Sequence, residues 1–283
     1  MIKYDLYLSY SGKKSYVTCP KQYEYKYILK EKAISNPKDI LFGNIMGKIF
    51  EWFYNKKLWL RADIDSYLLN IVVDEAISEC SSKVNFDLNS DIEFKSKLIK
   101  DVNGFVVSTL RVIRDQKLLS PISKSEIDLT SFYFDKESKI TLKIGGRADF
   151  IHYFNNENIW IMDGKGSKYR EKYIDSDQLI WYAVQHYIKY HIVPNRIGFL
   201  FYRFPSDPIK WIMLDDQLMR EHVKRTIKSA LQIMNGMFDP TPSIECRHCS
   251  FQSNCNDGIK YLADRRNKDG PFKSDIFDLE MVI

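Results

Sequence analysis

The stretch Ile159-Trp-Ile-Met-Asp163-Gly-Lys165 restricts the fold more than any other part of this 283-residue chain. Its apolar run reads as a buried strand, and that strand ends on a carboxylate, with an ammonium two residues on. A carboxylate at the end of a buried strand needs a partner. Asp149 closes Gly146-Arg-Ala-Asp149 fourteen residues earlier, and Gln178-Leu-Ile-Trp-Tyr182 begins thirteen residues after Lys165. Alone, Asp-x-Lys reads as surface charges flanking a strand or as a salt bridge. With these neighbours, in this order, it reads as a site.

Residues i and i+2 of a strand face the same side, so Asp163 and Lys165 project together. Cleaving a phosphodiester needs an activated water, charge neutralisation and a stabilised leaving oxygen, which one or two Mg2+ or Mn2+ ions on carboxylates supply. Asp163 can hold such an ion while Lys165 orients the water or meets the charge on phosphorus. Asp149 reaches the same place from the preceding strand if the loop between them is odd. A three-residue loop at Asn155–Glu157 pairs Asp149 with Asp163, whereas a four-residue loop turns it to the other face. An odd loop or a bulge is therefore expected.

The chain is 45% hydrophobic and 28% charged, an ordinary globular balance, and its net charge of +5 is compatible with a polyanionic partner. No apolar run approaches the roughly 18 residues that span a bilayer, and Met1-Ile-Lys-Tyr-Asp has no secretory apolar region. A cytoplasmic, reducing location is the expectation, so the five cysteines call for something other than disulfides. There is no Gly-x-x-x-x-Gly-Lys-Ser/Thr loop, which excludes an NTP-driven helicase in this chain. The histidines lack metalloprotease spacing and no serine sits in a nucleophile elbow.

Residues Ser11 to Lys30 read as helix, broken at Cys19-Pro20 because proline fits only a first helical turn. Helix continues from Ile40 to Leu119, with Phe42, Ile45, Met46, Ile49, Phe50 and Phe53 at three-to-four-residue spacing. The pattern changes at Pro121. Ile127–Phe134, Lys139–Phe154 and Asn158–Asp163 read as strands, Ile174–Tyr190 as an amphipathic helix, Arg196–Phe204 and Ile209–Leu214 as strands, and Asp216–Met237 as helix. The sum is an α/β core with a helical insertion near its front. Four segments are expected: 1–40, a helical region 41–120, a core 121–238, and a cysteine-bearing segment with a tail, 239–283.

Cys246-Arg-His-Cys249 and Cys255 form a C-x2-C-x5-C cluster, with Cys19 far upstream. Close thiols in a reducing compartment point to a soft metal, and a fourth thiolate would complete a [4Fe–4S] cluster. Zinc on these cysteines or His248 is the alternative. Cys80, in a helical stretch, reads as a small buried apolar residue. Lys168, Arg170 and Lys172 alternate with Tyr169 and Tyr173 beyond Lys165, either to hold a DNA backbone or as a solvated loop. Arg147 reads as a strand-edge cap, and Lys260–Lys268 as a solvated face.

The order Gly146–Asp149, Asp163–Lys165, Gln178–Tyr182 resembles the PD-(D/E)XK nuclease superfamily, specifically its RecB-type branch. That resemblance implies a restriction-endonuclease-like α/β core, a mixed central sheet flanked by helices, with a C-terminal segment stapled by a metal cluster. It implies a Mg2+- or Mn2+-dependent deoxyribonuclease in which Asp149, Asp163 and the Gly164 carbonyl hold metal. Lys165 would be catalytic, and Gln178 and Tyr182 would contact DNA or order the site. The family also carries Gly-x-x-x-His, whose histidine ligates metal; here Gly43-Asn-Ile-Met-Gly47 has glycine instead. Glu51, one turn on, either substitutes for it or is a solvated helix residue. The cysteines at both ends look like those of the iron–sulfur members, the CRISPR-associated adaptation exonucleases and AddB nuclease domains, with Cys19, Cys246, Cys249 and Cys255 around [4Fe–4S]. The implied setting is exonuclease or flap processing of single-stranded or end-bearing DNA in recombination, repair, replication or CRISPR adaptation, beside a helicase, recombination or adaptation protein. The alternative is a nuclease-fold subunit that binds DNA or scaffolds a complex without turnover.

Overall fold

The computed structural model describes residues 3–33, 37–120, 122–155, 158–173 and 176–269. In chain order its elements are β1 (Leu6–Ser9), α1 (Tyr10–Thr18), α2 (Pro20–Tyr23), α3 (Pro37–Asn55), α4 (Ile64–Tyr67), α5 (Val73–Lys83) and α6 (Ile92–Asp115). Then follow β2 (Lys124–Asp128), β3 (Ser131–Asp135), β4 (Ile140–Gly145), β5 (Arg147–Asn155), β6 (Asn158–Lys165), α7 (Gln178–Tyr190), β7 (Arg196–Phe201), β8 (Ile209–Ile212), α8 (Asp216–Met234) and α9 (Asn256–Asp269). They group into two units, one from Met1–Tyr10 and Asn36–Arg225, the other from Ser11–Ser35 and Thr226–Ile283. Among the described residues no helix is long and apolar enough to cross a membrane.

The first unit is mixed α/β. Its larger sheet has the order β2-β5-β6-β7-β8, with β6 and β7 parallel and the other pairs antiparallel. Parallel neighbours need a crossover, which α7 provides. A second sheet has the order β1-β4-β3. The expected single strand Lys139–Phe154 is cut at Gly146, its halves entering different sheets. A Cβ on Gly146 would meet the carboxamide of Gln185 of α7, so a larger residue here would have to displace that side chain. The expected strand Ile127–Phe134 divides likewise, at a turn in which Thr130 N donates to Asp128 Oδ1 at 2.8 Å. The four-residue β1 escaped notice because only its pairing with distant β4 makes it a strand.

Leu41, Phe42, Ile45, Met46, Ile49, Phe50 and Phe53 of α3 are all buried, one apolar stripe at helical spacing. They share a core with Phe150, Met162 and Leu200 of the sheet and with apolar faces of α5 and α6. Helix α6 starts where Asp91 accepts a hydrogen bond from Phe94 N at 3.0 Å, a side-chain cap.

In the second unit α1 ends before Pro20, and Cys19 is extended (φ −161°, ψ 113°) in the N-cap position of α2. The early and late segments are tied by Tyr16 Oη donating to Met237 O at 2.8 Å, Thr241 Oγ1 to Thr18 O at 3.1 Å and Tyr25 Oη to Asn254 O at 3.0 Å.

Candidate active site

Strands β5 and β6 pair Phe150 with Met162, and continuing that register by one residue sets Asp149 opposite Asp163, both on one sheet face. The odd residue is absorbed by a register shift between Tyr153 and Asn155. Asn155 stays in the ladder, opposite Asn158, so the expected loop is shorter than Asn155–Glu157; residues 156–157 lie outside the described residues. Asp149 Oδ2 accepts a hydrogen bond from Gly164 N at 2.8 Å, which binds it to the very end of β6.

Helix α7 begins at Gln178, and its carboxamide faces that strand end. Oε1 accepts from Lys165 Nζ at 2.8 Å, while Nε2 donates to Asp163 Oδ1 at 2.8 Å and to Tyr182 Oη at 3.0 Å. Tyr182, one turn along α7, is on the same helix face. The Lys165 ammonium also forms an ion pair with Asp163 Oδ2. Rings of Tyr173 and Phe199 lie 5.1 and 5.4 Å from the ammonium.

Asp163 is 1% exposed. Burial raises the pKa of Asp149 well above the usual carboxylate range, and the Asp163 charge adds to it, against Lys165. Burial also raises Asp163, opposed by Lys165. Burial pulls Lys165 down, yet Asp163 and Asp149 together hold it above its ordinary value. A buried and a half-buried carboxylate against one ammonium leave excess negative charge when ionised, which a divalent cation would relieve. Among the described residues no three His, Cys, Asp or Glu side chains converge closely enough to hold a metal ion. The all-oxygen donor pair nevertheless fits a hard cation that keeps several waters, for which one or two carboxylates suffice.

Glu51 forms an ion pair with Lys48 at 2.5 Å. A Cβ on Gly47 would meet no atom within 4 Å, so a side chain fits where the family's histidine would stand. Lys168 is exposed and Tyr169 is 61% exposed, whereas Arg170 is paired with Asp207 and lies 5.0 Å from the Phe201 ring. The Lys172 side chain is outside the described residues.

Two groups here were not singled out from the sequence. Glu126 is opposite Asp149 by the β2–β5 register, which pairs Ser125 with Phe150 and Ile127 with Ala148. Its backbone is left-handed (φ 53°), a costly state for glutamate, and its charge contributes to raising Asp149. Tyr202, just past β7, is buried with its hydroxyl 2.0 Å from where a Cβ on Gly164 would be. Gly164 has to be glycine for that reason. Neither residue carries a local signal, since only strand register and packing bring them in.

In the second unit Cys19, Cys246, Cys249 and Cys255 line one cavity with Gln22, Ser243 and Gly258. A Cβ on Gly258 would touch the sulfurs of Cys246 and Cys255, both at 3.5 Å. Gln22 Nε2 donates to Cys249 Sγ at 3.8 Å and Ser243 N to Cys246 Sγ at 3.4 Å. Burial raises the Cys249 thiol, a backbone hydrogen bond at Phe251 opposes it, and the Cys246, Cys19 and Cys255 thiols add to the rise. His248 lines a different cavity. Cys80 is buried in α5.

The sequence profile of the PD-(D/E)XK nuclease superfamily matches residues 7–256, and the chain belongs to that superfamily. Among solved structures it is similar to the one titled "Crystal structure of SSO0001", with 14% identity over 91% of this chain and 89% of that one, at a TM-score of 0.41. No curated protein matches it. The superfamily is one of metal-dependent nucleases, and the mixed sheets and helices are compatible with a restriction-endonuclease-like fold.

Proposed function

We propose that this chain is a Mg2+- or Mn2+-dependent deoxyribonuclease that trims single-stranded or end-bearing DNA. The observation that carries this is the Gln178 carboxamide, which ties Asp163, Lys165 and Tyr182 into one set beside Asp149. Asp149 and Asp163, with the Gly164 carbonyl and Glu51 as further candidate ligands, would hold the cation, which supplies an activated water and charge neutralisation. Lys165 presents its ammonium to the attacked phosphate or its water. Gln178 keeps Lys165 from swinging, and Tyr182 keeps Gln178 in place. Exposed Lys168 and Tyr169 suit contact with the DNA backbone and a base, with Arg170 and Lys172 beside them. The setting is recombination, repair, replication or CRISPR adaptation. End-labelled single- and double-stranded DNA incubated with Mg2+ or Mn2+ tests the proposal. Wild type should degrade it and Asp163→Ala should not; equal degradation by both sinks the assignment.

The four cysteines are proposed to hold a [4Fe–4S] cluster. A tetrahedral zinc site needs Zn–S distances of about 2.3 Å, hence sulfurs within roughly 4 Å of one another. Here four thiols line one cavity, a donor set that suits a soft metal centre. Iron and sulfide analysis of anaerobically purified protein decides between them; stoichiometric zinc without iron overturns the cluster.

A second reading is a nuclease-fold protein that binds DNA without cutting it. Gly47, in place of the histidine, favours it, as does the lack of a third metal-ligating side chain beside Asp149 and Asp163 among the described residues. It predicts DNA retention without degradation in either metal.

A further inference from the structure

Gln22 is on the short helix α2, whose N-cap is Cys19. Its backbone amide donates to Cys19 O at 2.9 Å, so one turn of chain brings both side chains to the cavity of the four thiols. Its Nε2 donates to Cys249 Sγ at 3.8 Å, and its Oε1 accepts from Ser15 Oγ at 3.3 Å. Ser243 N also donates to a sulfur, that of Cys246, but a backbone donor is supplied by almost any residue. Among the described residues Gln22 is the side chain that donates to one of the four thiols. Packing does not call for a carboxamide, since leucine has much the same bulk. A thiol must lose its proton to hold a metal, and hydrogen bonds to an ionised acceptor are the strong ones. Turned about, the carboxamide would set Oε1, an acceptor only, against that thiolate, so the charge and Ser15 together fix its orientation.

We propose that Gln22 is a positioning residue of the cysteine centre, its carboxamide, pinned by Ser15, donating to the Cys249 thiolate and raising the reduction potential of the bound cluster. This rests on the [4Fe–4S] reading above. Hydrogen bonds to the ligand sulfurs are among the levers that set such potentials. A donor favours the reduced state, which carries one more negative charge. Gln22 also joins the two ligand segments, sharing a turn with Cys19 and bonding Cys249, 227 residues further on.

The test uses the full chain, purified anaerobically, as wild type, Gln22→Leu and Gln22→Glu, with Gln252→Leu as a packing control. Gln252 lines the same cavity and donates to none of the sulfurs among the described residues. Iron and sulfide per chain are measured first. The midpoint potential then comes from dithionite titration followed by visible absorbance and electron paramagnetic resonance. Gln22→Leu should keep its iron near wild type and shift the one-electron equilibrium toward the oxidised form roughly tenfold, about 59 mV lower. Gln22→Glu should shift it further, because a carboxylate then faces the thiolate. Gln252→Leu should not move it. If Gln22→Leu keeps its iron at the wild-type potential, the inference is wrong. If it loses its iron, Ser15→Ala decides, since that change unpins the carboxamide without removing it. A lower potential in Ser15→Ala upholds the role, and an unchanged one overturns it. Wild type without iron would end the cluster reading itself, and Gln22 with it, whatever cleavage the protein shows.

Discussion

Gln178 Nε2 donates to Asp163 Oδ1 at 2.8 Å, across the gap between the start of α7 and the end of β6. The same carboxamide accepts from Lys165, so one neutral side chain sets both charged groups of the Asp-x-Lys strand. Gln178→Leu should therefore cut cleavage by roughly 10- to 100-fold, the range for groups that orient a metal site. Circular dichroism should be unchanged. Gln178→Glu should be no rescue, because it replaces both donations with a third negative charge. Single-turnover cleavage of labelled DNA checks both.

Asp149 and Asp163 titrate above ordinary carboxylates in the folded chain, first through burial. Between the unfolded and folded values the native chain binds more protons, so raising the pH through that window lowers its stability. Metal-free protein should thus melt lower at neutral pH than at mildly acidic pH as far as these groups act. Asp149→Asn should raise the neutral-pH melting temperature by a few degrees, about 1 kcal/mol in a domain of this size, and flatten part of the pH dependence. A lower melting temperature in that variant would show the charge to be well accommodated without metal.

Gly47 of α3 and Gly166 just past β6 should respond oppositely to substitution. A Cβ on Gly166 would come 2.8 Å from Gly43 Cα, a backbone-on-backbone approach that cannot relax by a rotamer change. Gly166→Ala should cost about 1–3 kcal/mol. Gly47→Ala, with open space around its Cβ, should gain roughly 0.5–1 kcal/mol from helix propensity alone. Gly47→His should fold as well and, if the family's ligand position is retained, raise Mn2+ affinity. Chemical denaturation and Mn2+ titration measure these separately.

Cys19→Ala and Cys249→Ala should each abolish bound iron and destabilise the protein, whereas Cys80→Ala should leave the iron content at the wild-type level. Cys80 lies in α5, apart from the cavity that the other four line. Iron content per chain and visible absorbance after anaerobic purification settle this. Equal iron in Cys19→Ala and wild type would remove the N-terminal cysteine from the ligand set.

Local periodicity was legible directly. The apolar stripe of α3, the same-side placement of Asp163 and Lys165, the Gln178–Tyr182 spacing and the helix break at Cys19-Pro20 all follow from residues within a few positions of one another. What tertiary structure decided is everything that depends on register or close approach. A single shift between Tyr153 and Asn155 puts Asp149 across from Asp163 and not on the far face of the sheet. One apolar run divides at Gly146 between two sheets, because its halves pair with different distant strands. Glu126 comes opposite Asp149 only through β2 pairing, and Tyr202 reaches β6 only through the room left by Gly164. The four cysteines come to one cavity from opposite ends of the chain. Neighbours along the chain dictate dihedral preference and face, but which strands pair, and how closely backbones meet, is set by volume and hydrogen bonding among residues far apart in sequence.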